Sequence, residues 1–492
     1  MSTKADLSPK FKSIETFYKG SGSDYSLLPV KFLALDDDRY ILTNIVGEYI
    51  VLEKSDLYMF LNKQVEINSS LYNELKSKHM LIDSDSAVAI DLLAAKYRTK
   101  LKPISNFTSL HMFVVTLRCD HTCPYCQVSR QTEDKKSFDM TPEIADKALD
   151  FTFSSPNPYI KIEFQGGESL LNFDLIKYIV NRAEMINENK KRNLQFVIAT
   201  NLSQINDEIL DYCLKHGILI STSLDGPEEL HNNNRHRPGN DSYKKAINGI
   251  KKVREVLGFD QVSALMTTTI SSLSKPKEII NEYVKMGFSS IFLRPLSPYG
   301  FAVKTGWIND YTVDDWLNFY KTGLSYIIEL NKQGVYLREE YTSLILEKIL
   351  TPYGPAYVDL QSPAGIGISG IVFNYNGDVY ASDESRMLAE MGDNTFRIGN
   401  LMQDSYEDVM LSEKLIGPIE MSLTESVPMC SDCGVQPYCG SDPVMHHALQ
   451  KDIVGHKPTS YFCKKNMGII KHIIRLLQDD NETSKVLLGW IR

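Results

Sequence analysis

The sequence predicts an α/β protein in which residues 105–310 form a parallel sheet that curls into a partial six-stranded barrel. Two observations carry this. Six apolar, β-branched runs recur at His111–Leu117, Tyr159–Phe164, Leu194–Thr200, Ile218–Leu224, Val262–Ile270 and Ser289–Arg294. Five segments of helical periodicity lie between them: PEIADKALDFTF, FDLIKYIVNRAEMINEN, DEILDYCLKHG, SYKKAINGIKKVREVLG and KPKEIINEYVKMG. Strands alternating with helices mean βαβ units and parallel strands. Right-handed crossovers curl such a sheet toward an open or partial barrel. A doubly wound open sheet satisfies the same alternation. In either case functional residues belong where strands end and loops begin.

The chain before residue 100 reads as a small separate module. Residues 1 to about 20 are polar and are expected to fray. VKFLALDDDRYILTNIVGEYIVLE reads as strands broken at Asp36–Asp38 and at Gly47. KSDLYMFLNKQ and SSLYNELKSKHMLI then read as two short amphipathic helices, the second running into an apolar edge. Strands plus short helices predict a winged-helix-like fold over residues 1–100. After residue 310 the alternation ends. A helical linker is expected over 311–360, with helices at Trp316–Gly334 and Tyr341–Ile349. A cysteine-rich region follows over 361–480, opening on the hairpin GIVFNYNGDVYASD with its turn at Asn376-Gly377. KKNMGIIKHIIRLLQ closes the chain as an amphipathic helix that packs on the body.

Composition narrows the function classes. Of 492 residues, 43% are hydrophobic and 23% charged, which excludes a disordered chain. No run approaches the ~20 apolar residues of a membrane span, and the first thirty residues lack the apolar core of a secretory signal. A cytoplasmic protein without a membrane partner is expected. The net charge of 53 − 62 = −9 argues against a nucleic-acid partner. Eight cysteines without an export signal do not suggest a disulfide framework.

Their spacing does carry information. Cys119, Cys123 and Cys126, in LRCDHTCPYCQ, directly follow the first strand of the sheet. Three thiolates on one short loop suit an iron–sulfur cluster or zinc. A four-iron cluster normally takes four cysteines, so three leave one iron open, as a catalytic metal requires. The competing reading is a structural zinc loop with His121 as fourth ligand, although a closed zinc knuckle has no reason to sit at a strand's C-terminal end.

CxxxCxxC in this place resembles the radical S-adenosylmethionine (SAM) superfamily, with its partial (β/α)6 TIM-like barrel. The resemblance implies a SAM-binding [4Fe-4S] cluster on these cysteines, reductive cleavage of SAM, and a 5′-deoxyadenosyl radical that abstracts hydrogen from substrate. Further residues match its pattern. Gln165-Gly166-Gly167-Glu168 ends the second strand like the GGE motif, Thr200-Asn201 ends the third, and SLDGP at Ser223–Pro227 ends the fourth, followed by Arg235. The resemblance implies that Gly166, Gly167 and Glu168 meet the methionine moiety, and that Gln165, Ser223 and Arg235 contact its ribose or carboxylate. It places Tyr125, and Leu293 on the sixth strand, beside adenine. Thr200 and Asn201 are read as SAM contacts or as ordinary strand-end caps.

Cys430, Cys433, Cys439 and Cys463 form a second group that spacing alone leaves open between zinc and a closed cluster. The group resembles the SPASM domain of radical SAM enzymes that modify peptides, whose full pattern holds two auxiliary clusters. Here Ser382 and Pro443 stand where cysteines belong. The resemblance therefore implies one auxiliary [4Fe-4S] cluster, held by the four remaining cysteines. Asp383 matches the aspartate that takes a substrate proton in sulfatase-maturing relatives; the alternative is an exposed turn residue. Cys213, His446, His447, His456 and the three tryptophans are read as packing residues.

Longer segments, among them DDDRYILTNIVGEYIVLE, SLHMFVVTLRCDHTCPYCQVSRQ and NYNGDVYASDESRMLAEMGDNTFRIGN, resemble the His-Xaa-Ser system radical SAM maturase. This implies a ribosomally made precursor peptide or protein as substrate, a second radical SAM protein as partner, and a reductant such as flavodoxin or ferredoxin. The N-terminal module then binds a leader strand on a sheet edge, or serves as a cap or partner surface. Two other functions compete: sulfatase-type oxidation of a protein residue, and a non-catalytic iron–sulfur or zinc scaffold.

Overall fold

The computed structural model describes residues 25–84, 88–352, 354 and 357–491; the stretch expected to fray lies outside them. The chain divides into two compact units, residues 1–98 with 433–435, and residues 99–432 with 436–492.

The first unit follows the order read from sequence: β1 (Tyr25–Leu27), β2 (Val30–Ala34), β3 (Arg39–Asn44), β4 (Tyr49–Glu53), α1 (Lys54–Leu61), α2 (Ser70–Ser77) and β5 (Leu81–Asp83). β2, β3 and β4 form an antiparallel meander, and β1 pairs antiparallel with β5. Each predicted break has a hydrogen-bonding cause. The Asp36 carboxylate accepts from the Arg39 backbone at 2.9 Å and from its guanidinium, closing the first turn. Asn44 Oδ1 accepts from the amides of Val46, Gly47 and Glu48, closing the second, where Gly47 has φ +92°. Residues 433–435 lie along β2: Phe32 bridges Cys433, and Thr43 Oγ1 donates to the Gly434 carbonyl at 2.9 Å. Helix α3 (Ala89–Leu101) carries the chain into the second unit.

The second unit is built on one eight-stranded sheet in the order β10-β9-β8-β7-β6-β13-β14-β15. β6 (Leu110–Thr116), β7 (Tyr159–Gly166), β8 (Asn193–Ala199), β9 (Leu219–Ser223) and β10 (Val262–Leu265) are all parallel. They alternate with α4 (Pro142–Thr152), α5 (Phe173–Lys190), α6 (Asp207–His216), α7 (Ser242–Leu257) and α8 (Pro276–Lys285). The local signals agree with these bounds. Thr141 caps α4 ahead of Pro142, and α6 runs from an Asn206 cap to Gly217 at φ +62°. The alternation is thus the partial-barrel arrangement the sequence predicts.

Two expectations change. The fifth and sixth strands are shorter than their apolar runs: β10 stops at Leu265, and β11 is only Ser290–Ile291. Side chains take the amides that a longer ladder would need. Asp225 accepts from Thr267 N, Glu339 from Leu293 N, and the Tyr311 hydroxyl from Leu296 N. One backbone bond, Thr268 N to the Arg294 carbonyl at 2.9 Å, still ties the two segments. The hairpin is also not a separate feature. Its first strand, β13 (Gly370–Phe373), pairs parallel with β6, and β14 (Asp378–Tyr380) and β15 (Arg397–Asn400) extend the sheet beyond it.

Helices α9 (Val313–Lys332), α10 (Glu340–Leu350), α11 (Asp383–Ala389), α12 (Pro443–Gln450), α13 (Tyr461–Asp479) and α14 (Asn481–Leu488) are among those that follow in this unit, and β12 (Arg338–Glu339) pairs with β11. The stretches read as barrel, linker and cysteine-rich region fall together in it, apart from residues 433–435.

Candidate functional site

The loop after β6 is pinned at its base. Arg118, 5% exposed, donates to both Asp139 oxygens at 2.7 and 2.8 Å and to the Leu171 carbonyl. Its three cysteines are partly exposed, and a turn joins Cys126 N to the Cys123 carbonyl at 3.2 Å. The thiols lie in one another's fields. Burial pushes the Cys123 thiol up to about 12; Arg235 opposes the rise and Cys126 adds to it. Burial, Glu168 and the other two thiols raise Cys119. Three clustered soft donors that resist ionising alone suit a metal group that replaces their protons.

His121 is engaged elsewhere. Its Nδ1 lies 2.8 Å from Asp120 and 2.9 Å from Asn201 Nδ2, and its Nε2 lies 2.9 Å from Ser242 Oγ. Cys119, Asp120 and His121 do bring ligand atoms within 4.8 Å of one another. Even so, service as a fourth ligand would cost His121 the bonds that anchor the loop to β8 and α7. The three-thiol loop therefore fits a [4Fe-4S] group with one open corner better than a closed zinc site.

The glycine pair does something more local than its motif suggests. Gly166 has φ +143°, and Gly167 lies so close to the start of the loop after β6 that a Cβ would sit 2.3 Å from the Arg118 carbonyl. Gly167 N donates to the Thr116 carbonyl at 2.9 Å, and Glu168 N to that of Arg118 at 2.8 Å. The glycines thus let the end of β7 dock on the base of the cysteine loop.

Glu168 is fully buried and joins two strand ends. Its carboxylate accepts from Thr200 Oγ1 at 2.6 Å, Asn201 N at 2.7 Å and Leu170 N at 3.0 Å. Burial raises this carboxyl to about 7 against those three bonds. Asn201 also donates to Asp120 at 2.9 Å, so the β8 end grips the cysteine loop directly. Gln165 donates to Glu163 at 2.8 Å. Ser223 ends β9, half-buried, paired with Leu265. Leu293 is fully buried, and its side chain packs toward Gly323 of α9.

A second grouping was only partly legible. The Tyr125 hydroxyl donates to Asp225 at 2.7 Å, and Arg235 pairs with the same carboxylate at 3.1 Å while its guanidinium lies 5.5 Å from the Tyr125 ring centre. Asp225, wholly buried, is the hub, and within SLDGP the sequence assigns it no role. Gly300 was missed as well. It has φ +59°, a Cβ there would lie 2.6 Å from the Cys126 carbonyl, and the next amide, Phe301 N, donates to that carbonyl at 2.8 Å. The SPYG turn was its available signal.

Asp383 is not an exposed turn residue. It opens α11 beside the buried Arg386 at 3.4 Å, and burial lifts its carboxyl to about 6, with Arg386 opposing. Ser382 caps α11, and Pro443 is the first residue of α12 behind the Asp442 cap. Both positions where the SPASM pattern expects further cysteines are therefore helix starts. Of the second cysteine group, Cys430, Cys439 and Cys463 belong to the second unit and Cys433 to the first, all partly exposed. Cys213 is fully buried on α6. His446, His447 and His456 bond to Ser460, Asp393 and Thr459, as packing residues do.

Residues 113–289 match the family model of the radical SAM superfamily. An uncharacterised protein of Methanocaldococcus jannaschii is 30% identical over 37% of this chain and 61% of its own. The radical SAM cyclopropyl synthase TigE of Paramaledivibacter caminithermalis is 23% identical over 44% of this chain and 45% of its own. The chain thus spans roughly half the length of these two relatives. A serine-type anaerobic sulfatase-maturating enzyme of Bacteroides thetaiotaomicron is 21% identical over 77% of this chain and 92% of its own. Among solved structures, anSMEcpe with bound AdoMet superposes with a TM-score of 0.63 at 16% identity, covering 77% of this chain and 99% of that one. Streptococcus suis SuiB bound to its precursor peptide SuiA superposes at 0.52 and 17% identity, covering 89% and 99%. These two likenesses show the fold. The stretch from within β6 to just past α8 is thus similar to the radical SAM superfamily, whose members work with a [4Fe-4S] cluster and SAM.

Proposed function

We propose that the chain is a radical SAM enzyme that modifies a peptide or protein substrate after translation, with Cys119, Cys123 and Cys126 holding the SAM-binding cluster. One observation carries this reading. The three-thiol loop, the Glu168–Thr200–Asn201 knot and the Tyr125–Asp225–Arg235 cluster all gather at the C-terminal ends of β6 to β9, where parallel barrels do their chemistry. When bound, the cluster and SAM supply a one-electron cleavage that yields a carbon radical able to take a substrate hydrogen atom.

The chain's own residues set the stage for that chemistry. Asp120, His121 and Asn201 fix the loop's geometry. Arg235, largely buried and with its charge balanced by Asp225, supplies a cation to which an anionic group such as a carboxylate is drawn. Tyr125 is held by Asp225 with its ring beside that guanidinium, a flat wall for an aromatic base. Asp383 is read as the base that accepts a substrate proton, since burial already places its carboxyl near the operating pH.

Cys430, Cys433, Cys439 and Cys463 are assigned to one auxiliary [4Fe-4S] cluster. The helix-start roles of Ser382 and Pro443 support a single auxiliary cluster. The substrate is read as a precursor of a His-Xaa-Ser type system, handled alongside a second radical SAM protein and a reductant such as flavodoxin or ferredoxin, in the cytoplasm. The first unit is assigned to a leader or partner segment. In support, this unit carries an antiparallel meander, β2-β3-β4, of the kind on which peptide strands are added.

The test is anaerobic co-expression with neighbouring candidate peptides, followed by mass spectrometry of the peptide and assay of 5′-deoxyadenosine. Loss of two hydrogens from the peptide, abolished by Cys126→Ser, supports oxidation or crosslinking. A reconstituted wild-type protein that yields no 5′-deoxyadenosine refutes the reading in favour of a scaffold. About eight irons per chain agree with two clusters, whereas about twelve contradict the ligand assignment.

A further inference from the structure

Beside the last strand of the barrel lies a second, small concavity of about 40 Å³. It uses none of the residues assigned to SAM or to the clusters. Its walls are aromatic: Phe292, Trp316, Tyr341, Tyr357 and Tyr461. Phe292 and Tyr341 stack at 5.7 Å with an interplanar angle of 8°. Three carboxyl groups, Asp359, Glu384 and Asp442, face the same space, together with the cations Arg294 and Lys465.

Polar atoms in this wall are left over. Asp442 is 4% exposed, and one oxygen accepts from the Met445 amide at 2.8 Å, but the other has no partner among the described residues. Trp316, 1% exposed, has an unpartnered indole N–H, and the Tyr461 hydroxyl is also unpartnered. A buried polar atom without a partner costs about 1–3 kcal/mol, so three around one cavity mark a surface shaped for something that binds there.

The charge of the wall says what kind. Three acidic groups face two basic ones, and Lys465 is already placed over the Tyr341 ring at 5.0 Å. The acids crowd one another: Asp359 and Glu384 both push the Asp442 carboxyl upward, on top of burial, while Lys465 opposes. The three carboxyl groups do not gather their oxygens within 4.8 Å of one another, as the small shell of a metal ion demands; among the described residues only Cys119, Asp120 and His121 meet that spacing. Spread carboxylates and aromatic faces together recognise an organic cation.

We propose that this cavity is a subsite for a positively charged nitrogen group of the substrate: an ammonium, guanidinium or imidazolium whose N–H donors reach Asp442. The proposal rests on the reading of the substrate as a peptide. The cation would enter beside Glu384, the neighbour of Asp383, so the subsite would anchor one side chain next to the residue assigned as base. The unpartnered Trp316 and Tyr461 groups would then meet the backbone of the same residue.

The test is binding to the reconstituted full chain by calorimetry or ligand-observed NMR. The probes are the N-acetyl methylamides of arginine, lysine and histidine, with norleucine as the uncharged control. At least one cationic probe should bind tenfold or more tightly than norleucine. Asp442→Asn, which keeps an oxygen for the Met445 amide, should erase that preference, and Glu384→Gln should weaken it severalfold. Equal binding of charged and uncharged probes, or a preference that survives in both folded variants, overturns the subsite. If Asp442→Asn does not fold, Glu384→Gln alone decides. SAM cleavage by the wild-type protein is measured separately: its absence defeats the proposed function, whereas its presence without cation preference defeats only the subsite.

Discussion

Replacing Gly167 by alanine tests whether the end of β7 sets the position of the cysteine loop. The new Cβ would lie 2.3 Å from the Arg118 carbonyl oxygen and 2.6 Å from that of Leu117. Side-chain carbons essentially never approach within 3.0 Å, so the Arg118 carbonyl must retreat by at least about 0.7 Å. Both neighbours are backbone and cannot swing aside. The retreat strains two hydrogen bonds, Gly167 N to Thr116 and Glu168 N to Arg118, at about 1 kcal/mol each. With overpacking at ~1–3 kcal/mol, the expected loss of stability is about 3–5 kcal/mol. The functional effect should be larger, because Cys119 is the next residue and a displacement near 1 Å can cost ~10²-fold in rate. The assay pairs iron content after anaerobic reconstitution with the rate of 5′-deoxyadenosine release. Gly217→Ala is the control: its φ of +62° is unfavourable for alanine, but its Cβ would meet nothing within 4 Å. That variant should lose about 1 kcal/mol of stability and keep full activity. A Gly167→Ala protein with iron content and rate within twofold of wild type would refute the claim that this approach sets the loop.

Four further outcomes are expected. Asp225→Asn and Arg235→Gln should each weaken SAM binding, and the double variant should lose far less than the sum, since each single change strands a partner of the buried pair; additivity within about 0.5 kcal/mol would show the two to be independent. The pH–rate profile should fall on the acid side near pH 6, where the Asp383 base takes up a proton, and Asp383→Asn should remove that limb along with most of the activity. The same group has a folded pKa above its unfolded one, so its contribution to stability is present at pH 4 and is lost as pH rises through about 6, which urea titrations of wild type and Asp383→Asn would show. Ser382→Cys with Pro443→Cys should add no iron and should cost about 1 kcal/mol through the lost Ser382 cap, measured by iron content and thermal unfolding.

Much of the fold was legible because local chemistry and global packing agree. β6 to β9 are apolar runs that end on polar residues, and the helices between them carry their own caps. The first unit could be read for the same reason, since Asp36 and Asn44 close its turns with their own side chains. The sheet's far edge could not be read. Thr108 of the β6 approach donates to Gly367, 259 residues along the chain, and β13 joins β6 there without any periodic signal. The ends of the fifth and sixth strands were overread because apolarity says nothing of who receives an amide. The cysteine loop was visible from spacing, whereas Asp225 was hidden: a buried acid bonded to a tyrosine and an arginine looks, in one dimension, like any aspartate before a glycine.

The two positions where the resemblance leads one to expect cysteines carry a different kind of order. At position 382 the serine hydroxyl accepts from Ser385 N at 3.2 Å, and Ser385 Oγ accepts from Ser382 N at 2.7 Å, a reciprocal cap that starts α11. At 443 a proline opens α12, where its missing N–H is no loss, and Asp442 caps the helix with one oxygen. Each helix start leaves an acid facing inward: Glu384 in the first turn of α11 and the second oxygen of Asp442 before α12. A cluster would have tied these segments together through its own bonds. Caps hold each segment separately and leave unbonded carboxyl oxygen beside the barrel. The caps account for the fold without the missing thiols, but not for the unmet oxygen of Asp442, and that oxygen is the reason to look for a cation there.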